Sequence, residues 1–187
     1  MQILIQILFA IFTPTSDADA EALHRFAPSY VTVDAAREHV WAARVAATIY
    51  GVDADMILAV GYHESRFTDN VVAKESGARF SCGVMTPFPT KTCVRKTLLA
   101  QYLEGTRHWA NDWGRAGDVR SDREALLGYA GGYRLIRRCR QGSVLRYKTH
   151  GDDLCLTPEV FGAIRARIRA ARQPKPSSPP RLPKRNA

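Results

Sequence analysis

The chain has 187 residues, of which 45% are hydrophobic and 24% are charged. This composition is typical of one globular domain; it excludes a fibrous or wholly disordered chain and leaves little room for two full-sized domains. No apolar run reaches the roughly 18 residues that a membrane span requires, so an integral membrane protein is not expected. The net charge is +9, and residues 165–187 hold eight basic side chains and no acidic one.

The N-terminal residues are typical of a secretory signal peptide. Residues 3–12 are apolar except for Gln6, Pro14 follows them, and Ala18 and Ala20 flank a small-x-small cleavage site. The usual basic residue before the apolar segment is missing, and a buried N-terminal helix or strand is the alternative interpretation. We predict cleavage after Ala20 and export of the mature chain to the periplasm or the cell exterior.

Four cysteines form an even set, which in an exported chain favours disulfide bonds. Three pairings are available to four cysteines. We predict the sequential one, Cys82 with Cys93 and Cys139 with Cys155, in which each bond closes a short loop. No C-x-x-C or H-x-x-x-H spacing occurs, so a zinc site is not expected, and the sequence implies no metal and no cofactor.

Two helices are predicted in the first third of the mature chain. The first covers residues 34–50, with Asp34 as its N-cap and Gly51 at its end. Asp53 caps the second, which is apolar on nearly every face over residues 56–62. A helix that is apolar all round is normally buried at the centre of its domain.

The middle of the chain changes character twice. Residues 68–93 are rich in Gly, Ser, Thr, Asn and Pro, and we predict an irregular or weakly β segment there. Helical spacing returns from about residue 95 to residue 113. A capping box at residues 121–124 then opens a helix that runs into the pair Gly131-Gly132.

The C-terminal part combines a helix with a tail. Thr157-Pro158 begins a last helix, and the five prolines within residues 173–187 predict a disordered tail. The sequence therefore predicts a signal peptide over residues 1–20 and a folded domain over residues 21–172. That domain is expected to be mainly α, with a central buried helix and little β structure.

The central apolar helix ends in a glutamate. One and two turns before Glu64 lie Val60, Gly61 and Ile57, so its side chain belongs to an apolar helix face. Burial on that face and the negative end of the helix dipole both disfavour the charged carboxylate, although Arg66 can offset this by folding back onto it. A glutamate that stays protonated near neutral pH is what a general acid in glycoside cleavage requires.

Three segments resemble the motifs of the soluble lytic transglycosylases, which are relatives of goose-type lysozyme. Residues 58–67, LAVGYHESRF, are similar to the catalytic motif, in which a buried helix ends in Glu-Ser before a small or basic residue and an aromatic one. Residues 83–86, GVMT, resemble the second motif, usually Gly-Leu-Met-Gln. Residues 128–132, GYAGG, resemble the third, usually Ala-Tyr-Asn-Ala-Gly. The motifs keep the family's order, and the resemblance covers about residues 33–135.

The resemblance implies a lysozyme-like α+β fold and cleavage of peptidoglycan between N-acetylmuramic acid and N-acetylglucosamine. Glu64 would be the sole acid and base, and the muramoyl 6-hydroxyl would attack the anomeric carbon and leave a 1,6-anhydro end. The resemblance also implies four substrate-binding residues: Ser65, Met85, Thr86 and Tyr129. Ser65 and Tyr129 would orient Glu64 or the acetamido group, Met85 would form an apolar wall and Thr86 would contact a sugar.

The motifs also depart from the family pattern. Thr86 stands where glutamine is usual and Ala130 where asparagine is usual, so two expected polar contacts to the sugar are changed. Most glycosidases use a pair of carboxylates, and Asp69 and Glu75 are the candidates for a second one here. They keep a lysozyme-type hydrolase as an alternative.

A non-enzymatic alternative comes from the basic C-terminal region. Arg165, Arg169 and Arg172 share one face of the last helix, opposite an apolar stripe, which is the pattern of an interfacial helix. A surface helix with its arginines in water is the simpler interpretation. We predict glycan strands as the partner of a monomeric protein, with wall or membrane contact through this helix and the tail, because a basic surface suits a polyanionic wall. No nucleic-acid recognition motif occurs.

Overall fold

A computed structural model describes residues 5, 12–69, 72–74, 80–85, 96–113, 119–142 and 153–173, apart from the side chains of the two strands and of residues 112 and 113. Its elements in chain order are α1 (Asp17–Phe26), α2 (Val33–Tyr50), α3 (Ala54–Ser65), β1 (Val72–Lys74), β2 (Phe80–Cys82), α4 (Leu98–Arg107), α5 (Asp122–Arg140) and α6 (Thr157–Arg172). A π-helical turn, His108–Trp113, continues α4, and a 3-10 turn, Leu154–Leu156, precedes α6. The predicted mainly helical character is confirmed over the described residues.

The segment predicted to be irregular or weakly β contains one short pair of strands among its described residues. β1 and β2 pair antiparallel, with Ala73 opposite Ser81 at the centre of the register. Each strand has three residues, so the pair is too short to form a layer of its own. The helices therefore supply the core.

Capping side chains explain where the helices begin and end. Gly51 ends α2 in the left-handed region with φ 69°, and the side chains of Asp53 and Ser121 cap α3 and α5 as predicted. The prediction of Asp34 as the N-cap of α2 is wrong. Thr32 holds that position and accepts from the backbone N–H three residues on, at 3.1 Å, while Asp34 lies in the first turn at the positive end of the helix dipole.

Helix α3 forms the centre of the core. Its residues 56–61 are all buried, because α2 and α6 pack against it. Gly61 is required for a close approach, since a Cβ atom there would lie 3.0 Å from Val84 Cγ1 and 3.2 Å from the hydroxyl oxygen of Tyr102. This approach brings the segment after β2 against the C-terminal half of α3.

An ion-pair cluster holds α6 on the core. Its arginines recur at i, i+4 and i+7 and bind aspartates of α1 and of the start of α3: Arg165 and Arg169 bind Asp53, Arg169 and Arg172 bind Asp55, and Arg172 binds Asp19. The N–O distances lie between 2.5 and 3.3 Å. The helix face that the sequence offers as an interfacial surface thus binds the carboxylates of its own domain.

Helix α1 crosses the predicted cleavage site. Ser16 caps it, Ala20 is fully buried, and Asp19 binds Arg44 at 2.7 Å and Arg172 at 3.0 Å. Burial acts to raise the pKa of Asp19, but the hydrogen bond from Ser16 and the charges of the two arginines outweigh it, so that pKa is lowered. Cleavage after Ala20 stays a prediction, and it would remove this carboxylate from the cluster.

Helix α5 is broken at Gly131-Gly132, where the sequence predicts a stop. Gly132 has φ 70° and ψ −174°, a region that only glycine enters readily. The side chains of Glu124 and Arg140 nevertheless meet, at 2.6 Å, although a straight helix would separate them by about 24 Å. The two halves of α5 therefore fold back toward each other.

A disulfide closes the end of this broken helix. Cys139 of α5 is bonded to Cys155 in the turn before α6, as predicted, and the two cysteines are 16 residues apart in sequence. The predicted Cys82–Cys93 bond lies outside the described residues, since neither side chain is among them.

Replacing both Cys139 and Cys155 with serine is expected to lower the free energy of unfolding by about 3 kcal/mol, because the loop that the bond closes gains entropy in the unfolded chain. Urea denaturation of oxidised protein measures the effect. The double variant should equal the Cys139→Ser single variant, because each of the two breaks the same bond. Equal stability of the wild type and the double variant would contradict a structural role for this bond.

Candidate active site

Glu64 lies in the last turn of α3, and 23% of its side chain is exposed. Its Oε1 atom is 3.4 Å from Nδ1 of His63. The helix ends directly afterwards at Arg66, which is left-handed with φ 56°. The structure thus has a partly buried carboxylate at the C-terminal end of the buried helix.

The turn after this helix is strained. Arg66 and Phe67 both have positive φ, 56° and 62°, although neither is glycine. Such a conformation costs roughly 1–3 kcal/mol per residue and persists only where the surroundings fix it. Tyr30 donates a hydrogen bond to the carbonyl of Arg66 at 2.8 Å, and the side chain of Phe67 is buried. Because strain of this kind clusters at functional sites, it marks the end of α3 as the leading candidate.

The two neighbours that follow Glu64 in the chain have contacts of their own. The hydroxyl of Ser65 is buried and donates to the carbonyl of Gly61, one turn back, at 3.0 Å. The guanidinium of Arg66 lies 4.4 Å from the ring centre of Tyr62, where a cation–π contact holds it. The observed contact of Ser65 is therefore within the helix, and its role toward Glu64 or a sugar stays a prediction.

The second and third motifs meet at Tyr129. Its hydroxyl donates a hydrogen bond to the backbone carbonyl of Met85. Burial raises the pKa of Tyr129 well above its usual value, and the negative charge of Glu64 raises it further. Tyr129 therefore keeps its proton. The first motif joins the other two through Gly61, which lies against Val84 of the second motif.

Met85 and its sequence neighbour differ in what the structure describes. The side chain of Met85 is completely buried; it accepts a weak contact from the hydroxyl of Thr106 at 3.7 Å and packs closely against Gly105. Met85 is thus part of the core next to the site, and its role as the apolar wall of the cleft stays a prediction. Thr86 lies outside the described residues, whereas Ala130, the other departure from the family pattern, is exposed.

Sequence reasoning missed Gln101, which fixes the segment after β2. Its Oε1 atom accepts from the backbone N–H of Val84 at 2.9 Å. Its Nε2 atom donates to the carboxylate of Asp69 and to the carbonyl of Lys96. Asp69, one candidate for a second carboxylate, is therefore bound to the scaffold, while Glu75 lies outside the described residues. The available signal in the sequence was a glutamine among the apolar residues of the predicted helix.

A second polar pair that the sequence did not reveal lies beneath the end of α3. Nδ1 of His39, in α2, is 2.9 Å from the hydroxyl of Tyr102, in α4, and both side chains are buried. Burial lowers the pKa of His39 to about 4, although the charge of Asp69 and a hydrogen bond with the backbone of Phe67 both act to raise it. The neutral ring therefore joins α2, α4 and the strained turn.

The π-helical turn borders the site on the side of α5. The ring centre of His108 is 5.8 Å from that of Tyr129. A π-helical turn within a helix is often found at functional sites, because it displaces one side chain from the regular spacing. Here it brings an aromatic ring next to the tyrosine that links the second and third motifs.

The residues described include neither a metal site nor a membrane-spanning helix. Within them, no three His, Cys, Asp or Glu side chains are grouped so that they would hold a metal ion. Their helices also include none with the length and apolar character needed to cross a membrane.

Comparisons of the chain with protein-family models, with curated proteins and with solved structures find no match. The interpretation of this site therefore depends on its geometry and on the resemblance of its three motifs.

Proposed function

We propose that this chain is a peptidoglycan lytic transglycosylase, a lyase that cleaves the glycan between N-acetylmuramic acid and N-acetylglucosamine. The observation that carries the proposal is the meeting of the three motif segments: Tyr129 donates to the backbone of Met85, and Val84 packs against Gly61 in the helix that carries Glu64. A lysozyme-like fold and export to the periplasm or the cell exterior belong to the same proposal. No cofactor is needed for this chemistry.

The reaction uses one carboxyl group twice. Protonated Glu64 donates its proton to the bridging oxygen as the bond from that oxygen to the anomeric carbon breaks. The resulting carboxylate takes the proton of the muramoyl 6-hydroxyl, whose oxygen forms the new bond to the anomeric carbon. The side chain of Glu64 is 23% exposed, so its carboxyl group can meet a bound glycan at the end of the buried helix.

Tyr129 supports the site as a fixed hydrogen-bond donor. Since its pKa is raised by burial and by Glu64, its hydroxyl does not ionise in the working range of pH and keeps its bond to Met85. This bond holds the second motif against the third. Ser65 and Thr86 complete the proposed set of substrate-binding residues.

The products distinguish a transglycosylase from a hydrolase. With purified peptidoglycan we expect fragments that end in 1,6-anhydromuramic acid, which are lighter by one water than the reducing ends that hydrolysis gives. Mass spectrometry of the released fragments measures this directly. Reducing ends as the main product would instead support the lysozyme-type alternative, for which a second carboxylate would be required.

The binding-module alternative has less support than the enzyme. The three arginines of α6 that would face a membrane bind Asp19, Asp53 and Asp55. Wall contact through α6 and the basic residues after 173 stays part of the proposal as an aid to substrate association, since opposite charge raises the local concentration of enzyme at a polyanion.

A further inference from the structure

His63 lies between Glu64 and the C-terminal helix. Its Nδ1 atom is 3.4 Å from Oε1 of Glu64. The ring also meets Phe161 of α6 edge to face, with ring centres 5.0 Å apart and an interplanar angle of 80°. A separation of 3.4 Å is long for a hydrogen bond, but catalytic groups often stand this far apart until substrate binds.

The orientation of this ring is imposed from outside α3. Phe161 is completely buried, so it offers a fixed surface. The helix that carries it is held in turn by the bonds of Arg169 to Asp53 and Asp55. Neighbouring residues of a helix do not normally face each other. The ring of His63 thus has a second contact, with Phe161, besides the one with Glu64.

We propose that His63 is a positioning residue for Glu64, an inference that rests on the proposed function of that carboxyl group. A neutral imidazole carries one N–H, and with the hydrogen on Nδ1 it donates to Oε1. Oε1 is then occupied as an acceptor, and the acid proton of Glu64 is carried by Oε2. Both proton transfers of the reaction consequently use Oε2: it delivers a proton to the bridging oxygen and then receives one from the 6-hydroxyl.

Three substitutions of His63 distinguish a role of its Nδ1 atom from a role of its aromatic ring. His63→Phe keeps an aromatic ring against Phe161 and removes both nitrogens. His63→Asn offers an amide N–H near the place of Nδ1, whereas His63→Gln offers it near the place of Nε2. With soluble glycan-strand fragments as substrate, we expect the Phe and Gln variants to lose roughly 10–100-fold in kcat with KM little changed, and the Asn variant to keep most of the activity.

The outcomes divide cleanly. A wild-type kcat in His63→Phe, or equal losses in the Asn and Gln variants, would overturn the inference. If His63→Phe proves poorly folded by thermal unfolding, the Asn and Gln pair still decides, because a merely structural role would not distinguish the two nitrogen positions. Glu64→Gln measured in the same assay tests the proposed function separately. Activity in that variant removes both proposals, whereas an inactive Glu64→Gln beside a fully active His63→Phe removes only this one.

Discussion

Glu64→Gln is expected to lower the turnover of purified peptidoglycan by roughly 10²–10⁴-fold while the fold survives. Glutamine has the size and shape of glutamate, but its amide cannot deliver an acid proton to the bridging oxygen or accept one from the 6-hydroxyl. The side chain is 23% exposed and glutamine fills the same volume, so the substitution opens no cavity in the core. Release of soluble fragments measures the loss, and the thermal unfolding midpoint checks the fold.

The controls for this prediction are the other nearby carboxylates. Asp69→Asn and Glu75→Gln should each retain substantial activity, because a transglycosylase needs one carboxyl group. Asp69 accepts from Gln101, so its variant is compared with the wild type at a temperature where both are folded. An inactive Asp69 or Glu75 variant together with reducing-end products would convert the assignment to a lysozyme-type hydrolase. Undiminished activity in Glu64→Gln would remove the basis of the enzyme assignment.

The scaffold of Glu64 could be predicted because its signals are local. Asp53 caps α3, residues 56–61 are apolar in an unbroken run, and the helix ends just after Glu64. Each of these features depends on residues within one or two helical turns, and such patterns are visible in a single sequence. The position of a partly buried carboxylate followed from them.

What the sequence could not supply are contacts between distant residues. The spacing of Arg165, Arg169 and Arg172 is the same whether the arginines face a lipid surface or the carboxylates of α1 and α3. Only the packing of α6 beside Asp53 decides between the two, and that packing joins residues more than 100 positions apart. Periodicity describes one helix and carries no information about its partner.

The break in α5 is another feature that could be predicted only in part. Gly131-Gly132 predicted that a helix stops, and the stop is confirmed. After the break the chain resumes as a helix and turns back, and Arg140 binds Glu124. This direction depends on the φ and ψ of Gly132 and on that ion pair. Two glycines permit many backbone directions, so the direction taken was not predictable.

The stability of the fold is expected to fall as the pH drops from 6.5 toward 4, and His39 is the cause. Its side chain is 3% exposed, and burial lowers its pKa from 6.5 to about 4. Burial also raises the pKa of Tyr102, so its hydroxyl stays protonated beside Nδ1 of His39. The folded protein therefore holds a neutral imidazole at a pH where the unfolded chain already binds a proton.

The sign and the interval follow from these two pKa values. Above pH 6.5 His39 is neutral in both the folded and the unfolded protein, and its contribution to stability is complete. Below pH 6.5 His39 binds a proton in the unfolded chain, whereas in the folded protein it stays neutral down to about pH 4. Each pH unit between them lowers the free energy of unfolding by up to about 1.4 kcal/mol, and the whole interval by about 3 kcal/mol. Stability is thus lost on acidification.

Urea denaturation at pH 7, 5.5 and 4.5 tests this, with His39→Asn as the matched variant. The amide of asparagine can take the place of Nδ1 beside the hydroxyl of Tyr102 but does not titrate, so the variant loses less stability on acidification. We expect the wild type to lose about 2–3 kcal/mol more than the variant between pH 7 and 4.5. Arg140 lowers the pKa of Glu124 from 4.5 to about 2, so the stabilisation from that carboxylate is lost mainly below pH 4.5, between these two values. Equal pH dependence in the two proteins would show that His39 is not the group whose protonation the fold resists.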